Sequence, residues 1–420
     1  MSAVAWCSAR RPHRRRAVTD AIEEQGGPAR QPLWFLILLA LAVAGGAISY
    51  VPFLTVLLPL RITELSGGAD VAALSYLTFG GAIMASVANI SFGWLSDRTR
   101  SRRAWIFAGL LLSGGMLASM GRPQDVTGLL AMVLVWQLGL NMMLAPLNAW
   151  AGDCVPDAQK GLLGGLFAFA PALGALSGAL ITIPGLAGPD ARLAMVVGLV
   201  VVMVMPALLL GKNRALPELT RASMGQADMP QDRFKTRRSI SRMWFARLLV
   251  QVSEAALFAF LLFWLRSMVP DFGEDKAAQI FSLVLVIAVP IALVAGRWSD
   301  RVGRPMFPLA VCAGLSSIGL LVMAFAATIE LALAGYVVFG ITSMTFLSLH
   351  SSQTLRVLPR PETRGRDLGF FNLTNTVPSL IIPGLTLALV PRFGFDALFV
   401  LLAALSALAA LLIGMISRRM

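Results

Sequence analysis

A six-residue stretch occurs twice in the chain, first as Gly93-Trp-Leu-Ser-Asp-Arg98 and again, 203 positions later, as Gly296-Arg-Trp-Ser-Asp-Arg301. Independent matches at nearly the same offset accompany it. Pro156 and Pro359 are 203 positions apart. An offset of 204 positions relates Gly161, Gly165 and Phe167 to Gly365, Gly369 and Phe371. Such agreement indicates that the chain contains two copies of one unit.

The composition indicates that both copies lie in a membrane. Of the 420 residues, 57% are hydrophobic and 14% are charged, whereas ordinary globular proteins are about 45–50% apolar and about 25% charged. A soluble protein has no place for that excess, because large soluble chains split into domains instead of growing one core. Soluble globular, fibrous and disordered classes are therefore disfavoured.

Apolar runs between charged residues predict an all-α integral membrane protein with twelve transmembrane helices of about 20 residues each. Many runs contain internal Gly or Pro, which membrane helices tolerate because neighbouring helices satisfy the freed backbone groups. The predicted spans are 33–58, 71–92, 104–121, 127–150, 162–184, 193–211, 243–266, 277–296, 305–327, 331–354, 367–390 and 396–416.

The longest polar interruption, 212–242, divides the predicted spans into two sets of six. We therefore predict an N-terminal six-helix bundle over 33–211, a cytosolic connector over 212–242 and a C-terminal six-helix bundle over 243–420. Six helices per copy give both copies the same orientation, so the repeat is parallel; transporters of this build bind substrate near the bilayer midplane. Residues 1–32 are interpreted as a flexible basic cytosolic tail.

Membrane topology explains the net charge of +13. The tail, the loops on one side of the predicted spans and the C-terminal end hold 28 of the 35 Lys and Arg residues, whereas the opposite side holds six. Basic residues concentrate on the cytoplasmic side of membrane proteins. We therefore expect a multi-pass protein of the cell (inner) membrane with both termini in the cytoplasm, and no nucleic-acid partner.

Residues suited to a metal site, a disulfide framework or an enzyme active site are scarce. The cysteines are Cys7, Cys154 and Cys312, and the histidines are His13 and His350. Their spacing matches neither a disulfide framework nor a zinc site. The chain also has no G-x-S-x-G, H-E-x-x-H or P-loop pattern. We expect no metal, no cofactor and no enzymatic activity.

The stretch from Gly93 to Arg103 resembles the loop signature of the major facilitator superfamily, and Gly296 to Arg304 resembles its degenerate second copy. The resemblance covers essentially the whole chain after residue 32. Within the superfamily, residues 96–102, 141–156 and 364–369 resemble the sucrose-type and glycoside–pentoside–hexuronide sugar:cation symporters. This resemblance implies a transporter of two six-helix bundles that moves a small solute by alternating access.

The resemblance also implies a conformational latch, a contact that holds one end of the bundle shut, in each repeated loop. Asp97 is expected to face the start of the eleventh span near Arg364, and Asp300 the start of the fifth span near Lys160. Free N–H groups at a helix N-terminus favour an anion. The alternative is a solvated turn with ordinary cytoplasmic arginines. The latch residues are Asp97, Arg98, Arg102, Asp300, Arg301, Arg304 and Arg364.

Polar side chains inside predicted spans are candidate solute contacts, because they are costly in lipid and usually face an interior surface. Amides suit a polyhydroxylated or otherwise neutral solute, and an aromatic ring can stack on a sugar. The alternative is helix–helix hydrogen bonding worth about 1 kcal/mol per bond; His350 is interpreted as structural. The predicted substrate-binding residues are Tyr50, Gln137, Asn141, Asn148, Gln251, Asn372 and Asn375.

Glu254 is the acidic residue placed deepest in a predicted span, and Arg247 lies two turns away on the same helix face. A carboxylate there can bind and release a proton as a transporter alternates, so both are predicted proton-coupling residues. The alternative is a structural Arg247–Glu254 pair that stays charged. Unlike sodium- or melibiose-type symporters, the second span has no acid before Asp97. A proton, or no coupling ion, is therefore favoured over sodium.

These observations predict a monomeric transporter in the lipid bilayer whose favoured activity is proton-coupled uptake of a sugar or glycoside. The first alternative is an exporter of drug-like or amphipathic metabolites, favoured by Met- and Phe-rich spans with few charged ligand-binding residues. The second alternative is a non-transporting assembly factor or receptor on the same scaffold. The two intact loop motifs disfavour that second alternative.

Overall fold

The computed structural model describes residues 30–66, 71–183, 185–211, 230–270, 272, 274–358 and 363–417. Over these ranges the regular elements are all helices, which confirms the all-α prediction. Most of the predicted tail and connector, at 1–29 and 212–229, lies outside the described residues, as do Arg418 and Arg419.

The helices of the first half of the sequence follow the first six predicted spans. They are α1 (Leu33–Pro52), α2 (Leu58–Ser66), α3 (Val71–Thr99), α4 (Arg102–Ala118), α5 (Val126–Cys154), α6 (Lys160–Phe167), α7 (Phe169–Ile181) and α8 (Pro189–Leu210). A π-helical turn, Phe53–Leu57, joins α1 to α2, and a 3-10 turn, Asp157–Gln159, precedes α6.

The helices of the second half follow the remaining predicted spans. They are α9 (Pro230–Met268), α10 (Glu274–Val302), α11 (Phe307–Ala324), α12 (Ile329–Val357) and α13 (Arg364–Ser417). Within α13, Gly394 has φ 75° and ψ 179°, a conformation that only glycine adopts readily. The break at Gly394 separates the helices predicted at 367–390 and 396–416.

Pro171 explains why the predicted span 162–184 is divided into α6 and α7. Proline has no N–H to bond the carbonyl four residues earlier, which here belongs to Phe167, and its ring crowds that carbonyl. Accordingly, α6 ends at Phe167 and α7 begins at Phe169.

The chain forms two compact units. The first comprises Met1–Gln159, Phe169–Met229 and Pro359–Phe370, and the second comprises Lys160–Ala168, Pro230–Leu358 and Phe371–Met420. Each unit therefore consists of most of one half of the sequence and a short helical segment from the other half. The start of α13 packs in the first unit, and α6 packs in the second.

Glycines bring neighbouring helices close together in each unit. In the first unit, a Cβ atom on Gly139 of α5 would lie 2.8 Å from the backbone nitrogen of Ser113 in α4. In the second unit, a Cβ atom on Gly319 of α11 would lie 2.8 Å from the carbonyl oxygen of Gly335 in α12. Such small residues let membrane helices pack backbone against backbone.

Among the described residues, nine helices are long and apolar enough to cross a membrane. The chain is accordingly a multi-pass membrane protein. The other three predicted spans, 104–121, 243–266 and 367–390, lie in α4, α9 and the first part of α13. With 17 residues, α4 is short for a span, because the hydrocarbon core is about 30 Å thick and a helix rises about 1.5 Å per residue.

Candidate functional site

Asp97 lies near the C-terminal end of α3 and binds the N-terminus of α13. Its Oδ1 accepts a hydrogen bond from the N–H of Gly365 at 3.0 Å, and its Oδ2 accepts one from the N–H of Arg366 at 3.0 Å. The first N–H groups of a helix have no partner within that helix, so the carboxylate satisfies two of them. The structure thus places Asp97 at the start of the eleventh predicted span, as expected.

Three further charged residues surround this contact. The Arg102 guanidinium lies 2.6 Å from Asp97 Oδ1 and donates from Nε to Asp153 Oδ2 at 3.2 Å. Arg364 donates from Nη1 to Asp153 Oδ1 at 2.7 Å. All four residues are at most 9% exposed. We call Asp97, Arg102, Asp153 and Arg364 the Asp97 network.

Two glycines let the backbones meet beside the Asp97 network. A Cβ atom on Gly93 would overlap the carbonyl oxygen of Gly365, and a Cβ atom on Gly365 would overlap that of Gly93. The contact between α3 and α13 therefore requires glycine on both helices. This explains, in physical terms, why these two positions of the repeated motif carry no side chain.

Asp300 makes the equivalent contact in the second unit, with the N-terminus of α6. Its two carboxylate oxygens accept hydrogen bonds from the N–H groups of Gly161 and Leu162 at 2.9 and 2.8 Å. Arg356 of α12 donates to Asp300 Oδ1 at 2.6 Å. Nearby, Lys160 donates from Nζ to the carbonyl of Leu355 at 3.2 Å. We call Asp300, Arg356 and Lys160 the Asp300 network.

The other three predicted latch arginines lie outside these two networks. Arg98, Arg301 and Arg304 are exposed. The Arg98 guanidinium lies 5.8 Å from the centroid of the Trp94 ring, in a cation–π arrangement. Asp153 and Arg356 take part instead, and sequence reasoning did not assign them to the latch. In the sequence, each of these two residues is a charged residue within one helical turn of the end of a predicted span.

In the first unit, three amide side chains form a buried chain between α3 and α5. Asn89 donates from Nδ2 to Asn141 Oδ1 at 2.9 Å, and Asn141 donates from Nδ2 to the backbone oxygen of Gln137 at 2.9 Å. Asn141 thus makes a helix–helix bond, the alternative to solute binding, whereas Gln137 bonds to Asn141 within α5. Of the other predicted contacts in this unit, Asn148 is partly buried and Tyr50 is 37% exposed.

In the second unit, Arg247 of α9 reaches α12 and α13. Its guanidinium has five polar neighbours: Thr374 Oγ1 at 3.1 Å, Ser351 Oγ at 3.0 Å, the Leu347 carbonyl at 3.4 Å, Asn375 Oδ1 at 3.3 Å and His350 Nδ1 at 3.5 Å. Asn375 in turn donates from Nδ2 to Asn372 Oδ1 at 2.8 Å. The structure therefore brings Arg247 together with two of the predicted substrate-binding amides.

His350 is buried between α9 and α12. Its Nε2 lies 3.0 Å from the Met243 carbonyl oxygen, and its Nδ1 lies 3.2 Å from the Thr354 hydroxyl. A neutral ring with its proton on Nε2 donates to the Met243 carbonyl and leaves Nδ1 as an acceptor facing Arg247 Nη1, while the Thr354 hydroxyl donates to the His350 backbone carbonyl. This arrangement agrees with a structural role for His350.

Glu254 bonds to its neighbour on α9. Gln251 donates from Nε2 to Glu254 Oε2 at 2.6 Å. Within the described part of the chain, the ion pairs do not include one between Glu254 and Arg247. The two residues interact electrostatically without a direct ion pair.

In the ranges that the structure describes, no group of three His, Cys, Asp or Glu side chains is placed to hold a metal ion. Cys154 and Cys312 are buried thiols.

The sequence matches the family model described as Major Facilitator Superfamily, over residues 33–351 in one alignment and 243–419 in another. The two alignments together extend over both halves of the repeat. No curated protein sequence matches the chain.

Solved transporter structures share the fold at low sequence identity. The E. coli fucose:proton symporter FucP aligns with a TM-score of 0.71 and 15% identity, over 91% of this chain and 98% of that chain. The proton:xylose symporter XylE aligns with a TM-score of 0.68 and 16% identity, over 90% and 94% of the two chains. The human organic anion transporter MFSD10 aligns with a TM-score of 0.68 and 16% identity, over 96% and 100%. At such identities, the likeness establishes the fold and not the solute.

Proposed function

Because the chain belongs to the major facilitator superfamily, we propose that this secondary transporter takes up a sugar or glycoside together with a proton, by alternating access. The similar folds of the fucose:proton and proton:xylose symporters support a secondary transporter. The distribution of basic residues supports an inner-membrane location with both termini in the cytoplasm.

The environment of Glu254 is the observation that carries the proton proposal. Its carboxylate is bonded to the neutral amide of Gln251, and among the described residues it forms no ion pair with Arg247. A proton can therefore bind Glu254 without breaking a salt bridge. An acidic residue within a membrane span marks a candidate proton relay. Arg247, on the same helix, adjusts the electrostatic field at this carboxylate.

Uptake by Glu254→Gln in proteoliposomes tests the coupling role. Labelled L-fucose, D-xylose and further sugars serve as probes, with and without an inward proton gradient. Wild type is expected to accumulate its solute only with the gradient, and Glu254→Gln is expected to lose that dependence. Glu64→Gln, an exposed carboxylate variant, serves as the control. Gradient-driven accumulation by Glu254→Gln would remove Glu254 from the coupling mechanism.

The Asp97 and Asp300 networks are proposed as conformational latches. Each joins the end of a long helix to the N-terminus of another helix through two backbone N–H groups. Backbone donors at a helix end can release an anion without leaving a buried side chain stranded, because water replaces the carboxylate once the end opens. Each network is thus able to form in one state of the cycle and break in the next.

The predicted solute contacts separate into two groups by their surroundings. Gln251, Asn372 and Asn375 are exposed or partly exposed beside Arg247, and we place the solute against them. Tyr50 and Asn148, which belong to the first unit, stay predictions from the sequence. Asn141 is already bonded to Asn89 and to Gln137. The expected contribution of Asn141 and Gln137 to solute binding is therefore smaller.

A further inference from the structure

The Arg247 guanidinium is a cation within a membrane span whose described hydrogen-bond partners are all neutral. Its Nε donates to the Thr374 hydroxyl, and its Nη1 donates to the Ser351 hydroxyl and the Leu347 carbonyl. Its Nη2 donates to Asn375 Oδ1 at 3.3 Å. Arginine has five N–H donors, two of them on Nη2. One Nη2 hydrogen therefore has no partner among the described residues.

This Nη2 edge is the accessible part of the cluster. Asn375 is exposed, and Arg247 and Gln251 are partly exposed. An exposed guanidinium edge that faced lipid would be strongly disfavoured, so such an edge within a span lies on a water-accessible surface. A dissolved molecule can reach Nη2 from that surface.

Glu254 interacts electrostatically with Arg247, but no carboxylate of the described residues forms a direct ion pair with the guanidinium. Glu254 is bonded to Gln251 at 2.6 Å, and Asp300 of the same unit is paired with Arg356 at 2.6 Å. A cation held by neutral groups in a low-dielectric environment is stabilised when an anion binds it.

We propose that the Nη2 edge of Arg247, together with the amide of Asn375, binds a carboxylate group of the transported solute. The proposal rests on the transport function proposed above and narrows its solute from neutral sugars to molecules with an acid group, such as sugar acids. A carboxylate accepts charge-assisted bonds from a guanidinium edge, and these are about twice as strong as neutral ones. The Asn375 amide, which also contacts Asn372, supplies a second donor.

The charges around this site fit the binding of a proton together with the acid. When Glu254 is ionised, the charges of Arg247 and Glu254 sum to zero. When a proton binds Glu254, the two residues together carry one positive charge, which matches the negative charge of one carboxylate. The other titratable groups facing the pair are His350, bonded to Met243 as a neutral ring, and Tyr336, which interacts electrostatically with Glu254. Neither of these groups adds a charge, so the net charge at the site is that of Arg247 and Glu254.

Thermal unfolding of the purified full chain, with matched acid and neutral probes, tests this site. The pairs are D-glucuronate with D-glucose and benzoate with benzamide. A ligand that binds the folded state raises its melting temperature by mass action. At least one acid is expected to stabilise wild type more than its neutral partner does. Arg247→Gln is expected to weaken that binding by about 30-fold or more.

Two variants keep the test decisive if Arg247→Gln does not fold. Asn375→Asp holds an internal carboxylate at the Nη2 edge, so it is expected to raise the melting temperature without ligand and to abolish stabilisation by the acid. Arg266→Gln changes an exposed arginine on the same helix and is expected to bind the acid as wild type does.

Three outcomes would overturn the Arg247 site. The first is equal stabilisation by both members of every pair, the second is undiminished acid binding in both Arg247→Gln and Asn375→Asp, and the third is no acid-dependent stabilisation of wild type by any probe. Binding in detergent needs no gradient. Failed gradient-driven uptake would therefore contradict the transport proposal and leave the binding result standing.

Discussion

The Asp97 and Asp300 networks bind helix N-termini in the same way and obtain their counter-charges differently. Each aspartate accepts two backbone N–H bonds, at 3.0 and 3.0 Å for Asp97 and at 2.9 and 2.8 Å for Asp300. Asp97 then pairs with Arg102 at the start of α4, and Asp300 pairs with Arg356 from α12.

The repeat shows how this difference arose. Arg356 occupies the position 203 residues after Asp153, and the position 203 residues after Arg102 is Pro305. The second copy therefore has neither that arginine nor the second acid, and an arginine at the acid's position pairs with Asp300. The backbone contact is common to the two networks, and the source of positive charge differs between them.

The largest expected effect is that of Asp97→Asn. It removes a buried carboxylate that contacts Arg102 and two helix N–H groups, and it leaves Arg102 with Asp153 as its acidic neighbour. Breaking a buried pair in this way costs about 3–5 kcal/mol. We expect a markedly lower melting temperature and strongly reduced uptake, with normal membrane insertion judged by size-exclusion chromatography. Wild-type melting and uptake would contradict a latch role for Asp97.

Asp300→Asn is expected to have a smaller effect, because the side chains of Arg356 and Asp300 are more exposed, at 11% and 9%, than those of Arg102 and Asp97, at 2% and 4%. The loss of hydrogen bonds to a charged group corresponds to about 1.5–3 kcal/mol. Melting temperatures of the two asparagine variants, measured side by side, check the order. A larger loss for Asp300→Asn would mean that Arg102, Asp153 and Arg364 add nothing to the first latch.

The glycine variants Gly365→Ala and Gly161→Ala test what the two latches share. In both, the added Cβ atom would overlap a facing backbone carbonyl oxygen, that of Gly93 or that of Gly296. Overpacking of this kind costs about 1–3 kcal/mol. We expect similar decreases in melting temperature for the two variants. A decrease in only one would show that the backbone contacts are not equivalent.

The smallest expected effect is that of Arg301→Gln. Arg301 belongs to the repeated motif and was a predicted latch residue, yet it is exposed, and Asp300 pairs with Arg356 instead. Surface substitutions away from specific contacts usually change stability little. Unchanged melting and uptake are expected, whereas Arg356→Gln should lower both. Equal losses of melting temperature and uptake in the two variants would mean that Arg301 contributes as much as Arg356 does.

Apolar runs and a repeated motif predicted the fold, and the resemblance to the major facilitator superfamily predicted which helix starts Asp97 and Asp300 face. The sequence did not identify Asp153 or Arg356 as members of the two networks. Charges near the cytoplasmic ends of spans are common for topological reasons, so a paired arginine looks the same in sequence as a solvated one.

The Arg247–Glu254 pair shows a second limit of sequence reasoning. Helical spacing correctly puts both residues on α9, but it does not determine the direction of a long flexible side chain. Arg247 bonds to α12 and α13, and Glu254 bonds to Gln251. The partners of these side chains depend on tertiary packing, which periodicity within one helix does not describe.

Proton movement during transport is the direct test of proton coupling through Glu254. A pH-sensitive dye inside proteoliposomes reports protons that enter when the solute is added outside, without an imposed gradient. Wild type is expected to acidify the interior upon solute addition, and Glu254→Gln, at equal reconstitution, is expected to leave it unchanged. Solute entry into wild-type vesicles without any acidification, or equal acidification by Glu254→Gln, would contradict proton-coupled uptake through Glu254.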